Sequence, residues 1–389
     1  MKALLGHTPD ELRAAFASAG VPGFRAAQVS SWLYQRRVRD FGAMANLPAR
    51  LRAELAVDWR THSLERIAVH PAADGTRKLV LGTIDGARIE AVLIPEARRY
   101  TLCVSSQVGC SLDCAFCATG RMGLGRNLHA DEIVDQALHA AELLDADGRA
   151  LTHVVFMGMG EPLLNLKHVL QAIRVLTHVD AFALAPRRIT VSTAGVAPKI
   201  AELGKAVGVR LAISLHAARD ELRDVLVPLN RRFAIAELMD ACGAFPLPKR
   251  ERISFEYTLI AGVNDSVADA RALAALARKA RAKVNLIPLN EHPGTSHRRP
   301  SEARMDAFLG ALVAERVTAT LRRSRGDDIF AACGQLGSGL TTLSYGSLRA
   351  PPALASSLGT ALARSRPGVR VTREDRPAPE PSEQAPERG

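Results

Sequence analysis

The chain has 389 residues, 47% of them hydrophobic, with 51 Lys and Arg against 40 Asp and Glu and a formal net charge of +11. This composition suits one large domain with a smaller attachment and excludes a mainly disordered chain, while six cysteines exclude a disulfide-rich framework. No run reaches transmembrane length and the first residues lack the apolar stretch of a signal peptide, so we expect a cytoplasmic protein without membrane contact.

Much of the positive charge is grouped in short basic clusters. These are Arg36, Arg37 and Arg39; Arg98 and Arg99; Arg187 and Arg188; Arg231 and Arg232; Lys249, Arg250 and Arg252; Arg298 and Arg299; and Arg322, Arg323 and Arg325. The guanidinium fork pairs phosphate oxygens bidentately, so arginine-dominated clusters favour a nucleic-acid partner. Charge alone leaves open the alternative that these residues are solvated loop ends.

Residues 1–70 are predicted to form a small helical accessory domain. Thr8 and Glu11 form a capping box ahead of a helix that ends near Gly20, and further helices are expected over 24–37 and 48–55. Such a basic three-helix unit is either packing material or an RNA-binding accessory. A β-hairpin is predicted within residues 71–98, with strands 77–83 and 87–94 around the two-residue turn Asp85-Gly86.

From residue 99 to 345, predicted strands alternate with predicted helices. The strands are expected at 101–105, 153–157, 188–192, 210–215, 253–259, 283–288 and 318–321, and the helices at 130–144, 166–176, 197–207, 235–245 and 266–279. This order indicates an α/β fold with a parallel sheet, and roughly six units favour a partial, open (β/α)6 barrel over a doubly wound sheet. Ligands of such barrels bind at the carboxyl ends of the strands. The tail, 346–389, is predicted to be disordered.

Three cysteines, Cys110, Cys114 and Cys117, lie after the first predicted barrel strand in GCSLDCAFCATG, with the spacing C-x3-C-x2-C. Three thiolates on one loop can hold three irons of a [4Fe–4S] cluster, which normally takes four cysteine ligands. No fourth cysteine is near in sequence, so one iron would stay open for a substrate or cofactor. A zinc site is the alternative, but neither a second C-x2-C pair nor an H-x3-5-H partner completes it.

Polar groups follow several predicted strands. The segment MGMGEPLLN contains Gly158, Gly160 and Glu161, where glycines allow close backbone approach or simply make the turn. Ser192, Ser214 with His216, and Asn290 end later strands. Each alone is explained by capping or by turn formation, and His216 by core packing. Convergence of several at one mouth of a barrel favours ligand binding.

Two further cysteines lie outside the loop: Cys103 in TLCVSSQVGC and Cys333 in RGDDIFAACGQL. Singly, each is more often a buried apolar side chain than a catalyst. The cysteine spacing with Phe116 resembles the radical S-adenosylmethionine (SAM) superfamily. Together with FMGMGEPLLN, SLHA and NLIPLN, these segments resemble the RlmN-type adenine C2-methyltransferases over about residues 5–345.

The resemblance implies a dual-specificity enzyme that methylates C2 of adenine 2503 in 23S ribosomal RNA and of adenine 37 in transfer RNA. It also implies one [4Fe–4S] cluster, ligated by the three loop cysteines, and two SAM molecules per turnover. C2 lies between two ring nitrogens and is too electron-poor to attack a sulfonium methyl group. A polar transfer of the methyl group from SAM to C2 in one step is therefore excluded. SAM contacts carried over from the family are Gly160, Glu161, Ser192, Ser214, Leu215, His216 and Asn290.

In this family one SAM methylates a cysteine thiolate, carried over here to Cys333. The second SAM is reductively cleaved to a 5′-deoxyadenosyl radical that takes hydrogen from this methyl group, and the methylene radical adds to C2. Cys103 would then form a disulfide with Cys333 and release the product. Glu90 matches the base that removes the C2 proton; a glutamate on an exposed strand face is its alternative. Cys242 has no matching role.

Two other functions stay open at this point. Related antibiotic-resistance enzymes methylate C8 of the same ribosomal adenine, although Glu161-Pro162 and the N-terminal module favour the C2 branch. A non-catalytic iron–sulfur RNA-binding protein is the second alternative, and it would leave Cys103 and Cys333 unexplained. The resemblance further implies 23S rRNA and tRNA as partners, an electron donor of the flavodoxin or ferredoxin type, and a monomer.

Overall fold

The computed structural model describes residues 1–248 and 250–338. The predicted disordered tail, 346–389, and Lys249 of one basic cluster lie outside these ranges. In the described residues no helix is both long and apolar enough to cross a membrane.

The N-terminal region contains three short α-helices and a two-residue parallel bridge. These elements are β1 (Lys2–Ala3), α1 (Pro9–Ser18), α2 (Phe24–Ser30), α3 (Ala49–Asp58) and β2 (Trp59–Arg60). The predicted capping box is confirmed, because Thr8 Oγ1 accepts from the Glu11 N–H and Glu11 Oε2 accepts from the Thr8 N–H. Beyond α2 the helix continues with π-type hydrogen bonding over Ser31–Gln35, so the predicted helix is one element with two geometries.

Three antiparallel strands follow: β3 (Leu64–Pro71), β4 (Arg77–Thr83) and β5 (Arg88–Glu96). The predicted hairpin is confirmed, with Gly86 at φ +84° in its turn. β3 was not predicted, since it is an edge strand whose sequence LERIAVHP leaves most side chains exposed or half-buried. The boundary predicted at residue 70 therefore falls inside a strand of the main sheet.

The remaining described elements alternate as predicted. They are β6 (Arg99–Cys103), β7 (Gln107–Gly109), α4 (Ala118–Arg121), β8 (Leu124–Asn127), α5 (Ala130–Ala146), β9 (His153–Phe156), α6 (Leu166–Thr177), β10 (Ile189–Thr193), α7 (Ala197–Ala206), β11 (Arg210–Ser214), α8 (Asp220–Leu226), α9 (Ile235–Ala244), β12 (Ser254–Leu259), α10 (Val267–Lys279), β13 (Lys283–Pro288), α11 (Glu302–Ala314) and β14 (Ala319–Leu321). Strands β7 and β8 and helices α4, α8 and α11 were not among the predicted elements.

One ten-stranded sheet runs in the order β14-β13-β12-β11-β10-β9-β6-β5-β4-β3. Within this sheet β6 and β9 to β14 pair in parallel, and β5 joins β6 in antiparallel fashion. β7 and β8 form a separate ribbon. Among the described strands the two edges, β3 and β14, do not pair with each other, so the barrel stays open. The predicted α/β fold class with a partial barrel is confirmed.

The helices bury one face against this sheet because their apolar residues recur at helical spacing. In α6, Val169, Ile173 and Leu176 are fully buried at positions i, i+4 and i+7. The parallel strands are buried on both sides, as β12 shows with every residue buried. Side chains that alternate along these strands point in turn to the helices and to the barrel lumen. The carboxyl ends of the strands therefore bring their polar residues to one end of the lumen.

Candidate active site

The three-cysteine loop lies between β7 and α4 and packs on a small apolar cluster of its own. Phe116 is buried there with Ala217, Leu226 and Leu289, and Cys114 and Cys117 pack against this cluster. The Ala115 N–H donates to the Leu226 carbonyl at the end of α8 (3.1 Å), which fixes the loop to the barrel. The loop thus has a defined conformation over the carboxyl ends of the strands.

The chemistry of this donor set fits an iron–sulfur cluster. All six cysteines are free thiols, and burial raises the pKa of Cys110 to about 12, so a thiolate here needs a cationic ligand. Backbone N–H groups donate to the sulfurs, from Leu112 to Cys110 and from Gly120 to Cys117. Such N–H···S bonds are among the groups that tune protein-bound clusters.

In residues 1–248 and 250–338 no group of three or more His, Cys, Asp or Glu side chains is arranged around one ion position.

The glycine segment after β9 is shaped by close backbone approach. A Cβ on Gly160, which has φ +94°, would lie 2.4 Å from the Gln107 Cβ, and one on Gly158 would lie 2.7 Å from the Val104 carbonyl. The Glu161 side chain is 3% exposed and accepts from the N–H groups of Leu163 (3.0 Å) and Ala194 (2.8 Å). Burial raises the pKa of Glu161, and these two hydrogen bonds oppose the rise.

The strand-end residues converge as predicted. Ser192 and Ser214, on neighbouring strands β10 and β11, share a hydrogen bond of 3.1 Å between their hydroxyls. His216 has a left-handed φ of 58°, its Nδ1 accepts from the Thr258 N–H (3.0 Å), and its ring packs edge-on against Phe116. Burial, with help from Arg223, lowers the pKa of His216 to about 3, so the imidazole is neutral. The neutral His216 ring thus lies directly against the cysteine loop.

The Cys333 segment, residues 326–338, lies across this end of the barrel. The Asn290 side chain donates to the Cys333 carbonyl (3.0 Å) and accepts from the Ser324 hydroxyl, so this predicted SAM contact also positions Cys333. The Ala118 N–H donates to the Gly334 carbonyl (2.8 Å) at the start of α4. Cys333 is thereby held directly beside the cysteine loop.

Cys103 and Cys333 line one cavity of about 540 Å³ inside the barrel. Their thiols are close enough to interact electrostatically, and burial raises the pKa of Cys103 well above its ordinary value. Cys333 is exposed to the solvent of the cavity but enclosed by the barrel. This enclosure raises the pKa of Cys333, Arg322 opposes the rise, and Glu256 adds to it.

Glu90 is buried and paired. The alternative of an exposed strand face is wrong, because Glu90 is 1% exposed and Ile89 and Ala91 are buried as well. Its Oε1 lies 3.2 Å from the Lys78 Nζ, and its Oε2 accepts from the Gly337 N–H (2.8 Å). Glu90 lies on the same face of β5 as Val92, which lines the cavity, but Gly337 covers it.

Two residues of this region were missed. Lys78 could have been found, because pairing across the Asp85-Gly86 turn places it diagonal to Glu90. Arg223 is fully buried, donates to the carbonyls of Leu215 (3.0 Å) and Ala194, and interacts with Cys114. Burial lowers the pKa of Arg223 to about 10. It lies on α8, which the sequence pattern did not predict, so no signal pointed to it.

Comparisons with known proteins agree with this geometry. The model of the radical SAM superfamily matches residues 104–274, and that of the ribosomal RNA large subunit methyltransferase N-terminal domain matches residues 2–59. A dual-specificity RNA methyltransferase RlmN from Geotalea uraniireducens is 47% identical over 329 residues, or 85% of this chain and 94% of that relative. Its counterpart from Syntrophobacter fumaroxidans is 48% identical, over 85% of this chain and 96% of that relative.

A solved structure supports the same relationship. The crystal structure of a radical SAM methyltransferase from Sphaerobacter thermophilus superposes with a TM-score of 0.84 at 46% identity. The match covers 87% of this chain and 100% of that chain. Fold, sequence and N-terminal region therefore all point to one group of enzymes.

Proposed function

The chain belongs to the RlmN family of radical SAM methyltransferases, and from this premise we propose that it is a dual-specificity methyltransferase of ribosomal and transfer RNA. Membership implies a [4Fe–4S] cluster, SAM and an RNA substrate. The observation that carries the proposal is the pair Cys103 and Cys333, which share one cavity beside the three-cysteine loop.

The proposed target atom is C2 of adenine, at adenine 2503 of 23S rRNA and adenine 37 of tRNA. C2 has no nucleophilic character toward a sulfonium methyl group, so the methyl must first be carried by a better nucleophile. A cysteine thiolate has that character. When bound, the cluster supplies the electron that cleaves SAM and yields a 5′-deoxyadenosyl radical.

Cys333 is the proposed methyl carrier. Its thiolate forms a carbon–sulfur bond with the methyl group of a first SAM as the sulfonium carbon–sulfur bond breaks, and a second SAM, once cleaved, activates that methyl group. The side chain is accessible from the cavity, and Asn290 and Gly334 hold its backbone. Arg322 favours the thiolate by lowering the pKa of Cys333 against the effect of enclosure.

Cys103 is the proposed resolving thiol. It lies on the cavity wall at the end of β6, next to Cys333. The Cys103 thiolate attacks the Cys333 sulfur, so that a sulfur–sulfur bond forms as the bond between this sulfur and the transferred carbon breaks. The carbon keeps the electron pair of the broken bond, takes a proton and becomes the methyl group of the freed base. Burial raises the pKa of Cys103, so the thiol must give up its proton before it attacks.

Glu90 is the proposed acceptor of the C2 proton. Both of its oxygens are engaged, by Lys78 and by the Gly337 N–H, so access to substrate requires Gly337 to move away from the carboxylate. Gly337 belongs to the Cys333 segment, and motion of that segment would expose the base and reposition the methyl carrier together. A carboxylate in an apolar strand suits this use.

Binding of SAM is proposed to involve Gly160, Glu161, Ser192, Ser214, Leu215, His216 and Asn290. Their support is the convergence of strand ends beside the cysteine loop, with a serine pair and a neutral His216. Glu161, although held by two backbone N–H groups, is a buried carboxylate that suits the ammonium group of SAM.

The test is anaerobic reconstitution with iron and sulfide, followed by incubation with SAM, a reductant and RNA. Nuclease digestion and mass spectrometry should find 2-methyladenosine, and the Cys333 peptide should carry a methyl group. Cys333→Ala should abolish both products, whereas Cys242→Ala, at a buried cysteine on α9, should retain them. Metal analysis that finds zinc instead of iron, or normal methylation by a Cys110→Ala variant, would overturn the proposal.

Methylation at C8 is the second candidate, since related enzymes share these cysteines. The match of residues 2–59 to the ribosomal RNA methyltransferase N-terminal domain favours C2. The same digest separates 8-methyladenosine from 2-methyladenosine. A product at C8 alone would replace the C2 assignment but leave the roles of Cys103 and Cys333 in place.

We further propose a flavodoxin or ferredoxin type of electron donor, a monomer and a cytoplasmic location. The cluster needs a donor of low potential and a reducing compartment. Mass photometry of the reconstituted protein and reduction by purified flavodoxin test the first two points.

A further inference from the structure

The amino-terminal end of the barrel, opposite the cysteine loop, carries a ring of basic residues. Six parallel strands that are neighbours in the sheet, β6 and β9 to β13, have a basic residue at their first position or within the two residues before it. These residues, which we call the basic ring, are Arg99, His153, Arg188, Arg210, Arg252 and Lys283. All six line the cavity that Cys103 and Cys333 also line. The cavity therefore runs from the basic ring to the catalytic cysteines.

The positive charge of this mouth is only partly balanced. Arg210 is paired with Glu251 (3.0 Å) and Arg99 with Glu96. Within the described ranges Arg188 and Lys283 are exposed and have no acidic partner. Nine arginine and lysine residues line the cavity against three glutamates. Charges of one sign around a concave opening repel one another and concentrate anions from solution.

His153 gives a second observation. It lies in the ring, and its pKa is lowered by burial first and then by Arg99, Arg188 and Arg210. The positive charges of three arginines at the starts of different strands are thus all close enough to His153 to lower its pKa. Solvated loop ends that point in different directions would not do so.

The opposite end of the barrel is covered. The Ala118 N–H bonds the Gly334 carbonyl (2.8 Å) and the Thr119 hydroxyl bonds the Leu336 carbonyl (2.6 Å), so the Cys333 segment and α4 are tied together there. From Arg99 to Cys103 the strand rises about 13 Å. An extended nucleotide with its phosphate at the basic ring can point its base toward Cys333 over such a depth.

We propose that the basic ring binds the phosphates of a single-stranded RNA segment on either side of the target nucleotide, whose base enters the barrel through this amino-terminal mouth. The inference rests on the proposed function and adds the direction of substrate entry and the residues that hold the backbone. Arginine and lysine contacts to phosphate supply affinity and position and do not depend on sequence. That suits an enzyme that accepts two different RNA molecules.

The test measures RNA binding without turnover. Anaerobically reconstituted Arg188→Gln/Lys283→Gln protein is titrated into a fluorescein-labelled anticodon stem–loop RNA at several KCl concentrations, with anisotropy as the readout. Loss of two phosphate contacts should weaken binding roughly tenfold near physiological salt and reduce the slope of log Kd against log salt by about 1.4. Far-UV circular dichroism establishes that the variant is folded.

The matched control is Arg271→Gln/Lys205→Gln, which removes the same two charges from exposed positions on α10 and α7. It should bind within about twofold of wild type, as expected for charges outside the interface. If both variants lose the same RNA affinity, net charge alone accounts for binding. If the ring variant keeps the wild-type RNA affinity and the wild-type slope of log Kd against log salt, RNA binds elsewhere. Either result overturns the inference.

A crosslink locates the RNA directly. A 4-thiouridine beside the target adenosine should crosslink to peptides that contain the ring positions, and crosslinks confined to residues 111–117 would contradict entry through this mouth. Flavodoxin reduction of the cluster is measured in the wild type and in the ring variant. If the ring variant binds RNA normally but is no longer reduced by flavodoxin, the basic ring binds an acidic protein instead of RNA, and the inference is overturned. Failure of the proposed function is distinct, since wild-type protein would then produce no methyladenosine from any RNA.

Discussion

The Glu90 carboxylate joins two parts of the molecule that are 247 residues apart in sequence. It pairs with the Lys78 ammonium across the hairpin and accepts the Gly337 N–H from the Cys333 segment. Lys78 also donates weakly to the Phe330 carbonyl (3.5 Å). A buried ion pair of this kind offsets its own desolvation only while both partners remain, so its loss affects the hairpin and the Cys333 segment together.

Removing one partner should destabilise the protein strongly. Lys78→Met leaves Glu90 as an unpaired buried charge, and we expect a loss of about 3–5 kcal/mol in the free energy of unfolding. The double variant Lys78→Met/Glu90→Leu should recover most of this loss because no buried charge remains. Urea unfolding of both single variants and the double variant measures the coupling. Additive effects would show that the two side chains do not interact.

The reaction should stop at different stages in the Cys103→Ala and Cys333→Ala variants. Cys333→Ala should form no product and no methylated peptide. Cys103→Ala should still methylate Cys333 and add it to the RNA, but the adduct has no thiol to release it. A covalent protein–RNA species should therefore accumulate, visible on denaturing gels and lost on nuclease treatment. Free methylated RNA from Cys103→Ala at the wild-type rate would remove Cys103 from the reaction.

Residues that belong to a contiguous motif could be predicted from the sequence. Cys110, Cys114 and Cys117 lie on one loop, and Ser192, Ser214 and His216 follow predicted strands. The partners that control their chemistry come from elsewhere in the chain, as Arg223 does for Cys114 and His216. Spacing carries no information about such contacts, since they depend on how α8 packs on the cysteine loop.

Among the elements, the hairpin turn is held by one arginine. Arg126, on β8, bonds both oxygens of Asp85 in the hairpin turn (2.6 and 2.8 Å) and both oxygens of Glu132 on α5 (2.7 and 2.8 Å). Bidentate pairs of this geometry are the stronger class of ion pair. The turn is therefore held above the cluster end of the sheet by electrostatics as well as by the Asp85-Gly86 backbone.

This contact should give stability a pH dependence. The Arg126 guanidinium holds the pKa of Asp85 well below its ordinary value near 3.8, so the contribution is fully present above that value and is lost as the pH falls through the lower folded-state pKa. At pH 6 the wild type should exceed Asp85→Asn by at most about 1 kcal/mol, since the pair is half exposed. Urea unfolding should show this gap shrink below about pH 4. A gap that is constant down to pH 3 would assign it to turn geometry instead.

Element prediction succeeded where one pattern dominated. β13 was predicted at its observed bounds because KVNLIP is a short apolar run between turn signals, and α6 because its apolar residues repeat at helical spacing. β3 was missed because one face is solvent-exposed and its pairing with β4 depends on a bulge at Arg66 and Ala68. α8 was missed because seven residues, DELRDVL, are too few for a clear period.

At the scale of the whole molecule, segments that connect the N-terminal helices are bound to the barrel through buried acids on α5. Asp135 is fully buried and accepts from the N–H groups of Ser63 (2.7 Å) and Leu64 (2.8 Å) and from Arg39 (2.6 Å). Asp131 accepts from Arg60 (2.9 Å). The described residues fall in one compact unit, so helices and barrel should unfold together.

The chain supplies probes for this cooperativity, because both of its tryptophans, Trp32 and Trp59, lie in the N-terminal region, whereas far-UV circular dichroism is dominated by the barrel helices. In wild type the two signals should share one urea midpoint. Asp135→Ala leaves two buried N–H groups without their acceptor, while Arg39 keeps its pair with Glu142 (2.5 Å), and we expect a loss of about 3–5 kcal/mol.

Asp145→Ala is the matched control. It removes a second acid from the same helix that pairs with the same region, through Arg37 at 2.9 Å, but the Asp145 side chain is 46% exposed. Its loss should cost about 1 kcal/mol or less, since water replaces most of an exposed pair. Equal costs for both variants would mean that burial of Asp135 contributes nothing.

A tryptophan transition that precedes the dichroism transition in wild type would mean that the N-terminal helices unfold alone. Such a region could dock and undock while RNA enters and leaves, whereas one shared transition means that its position relative to the cavity is fixed before any RNA arrives.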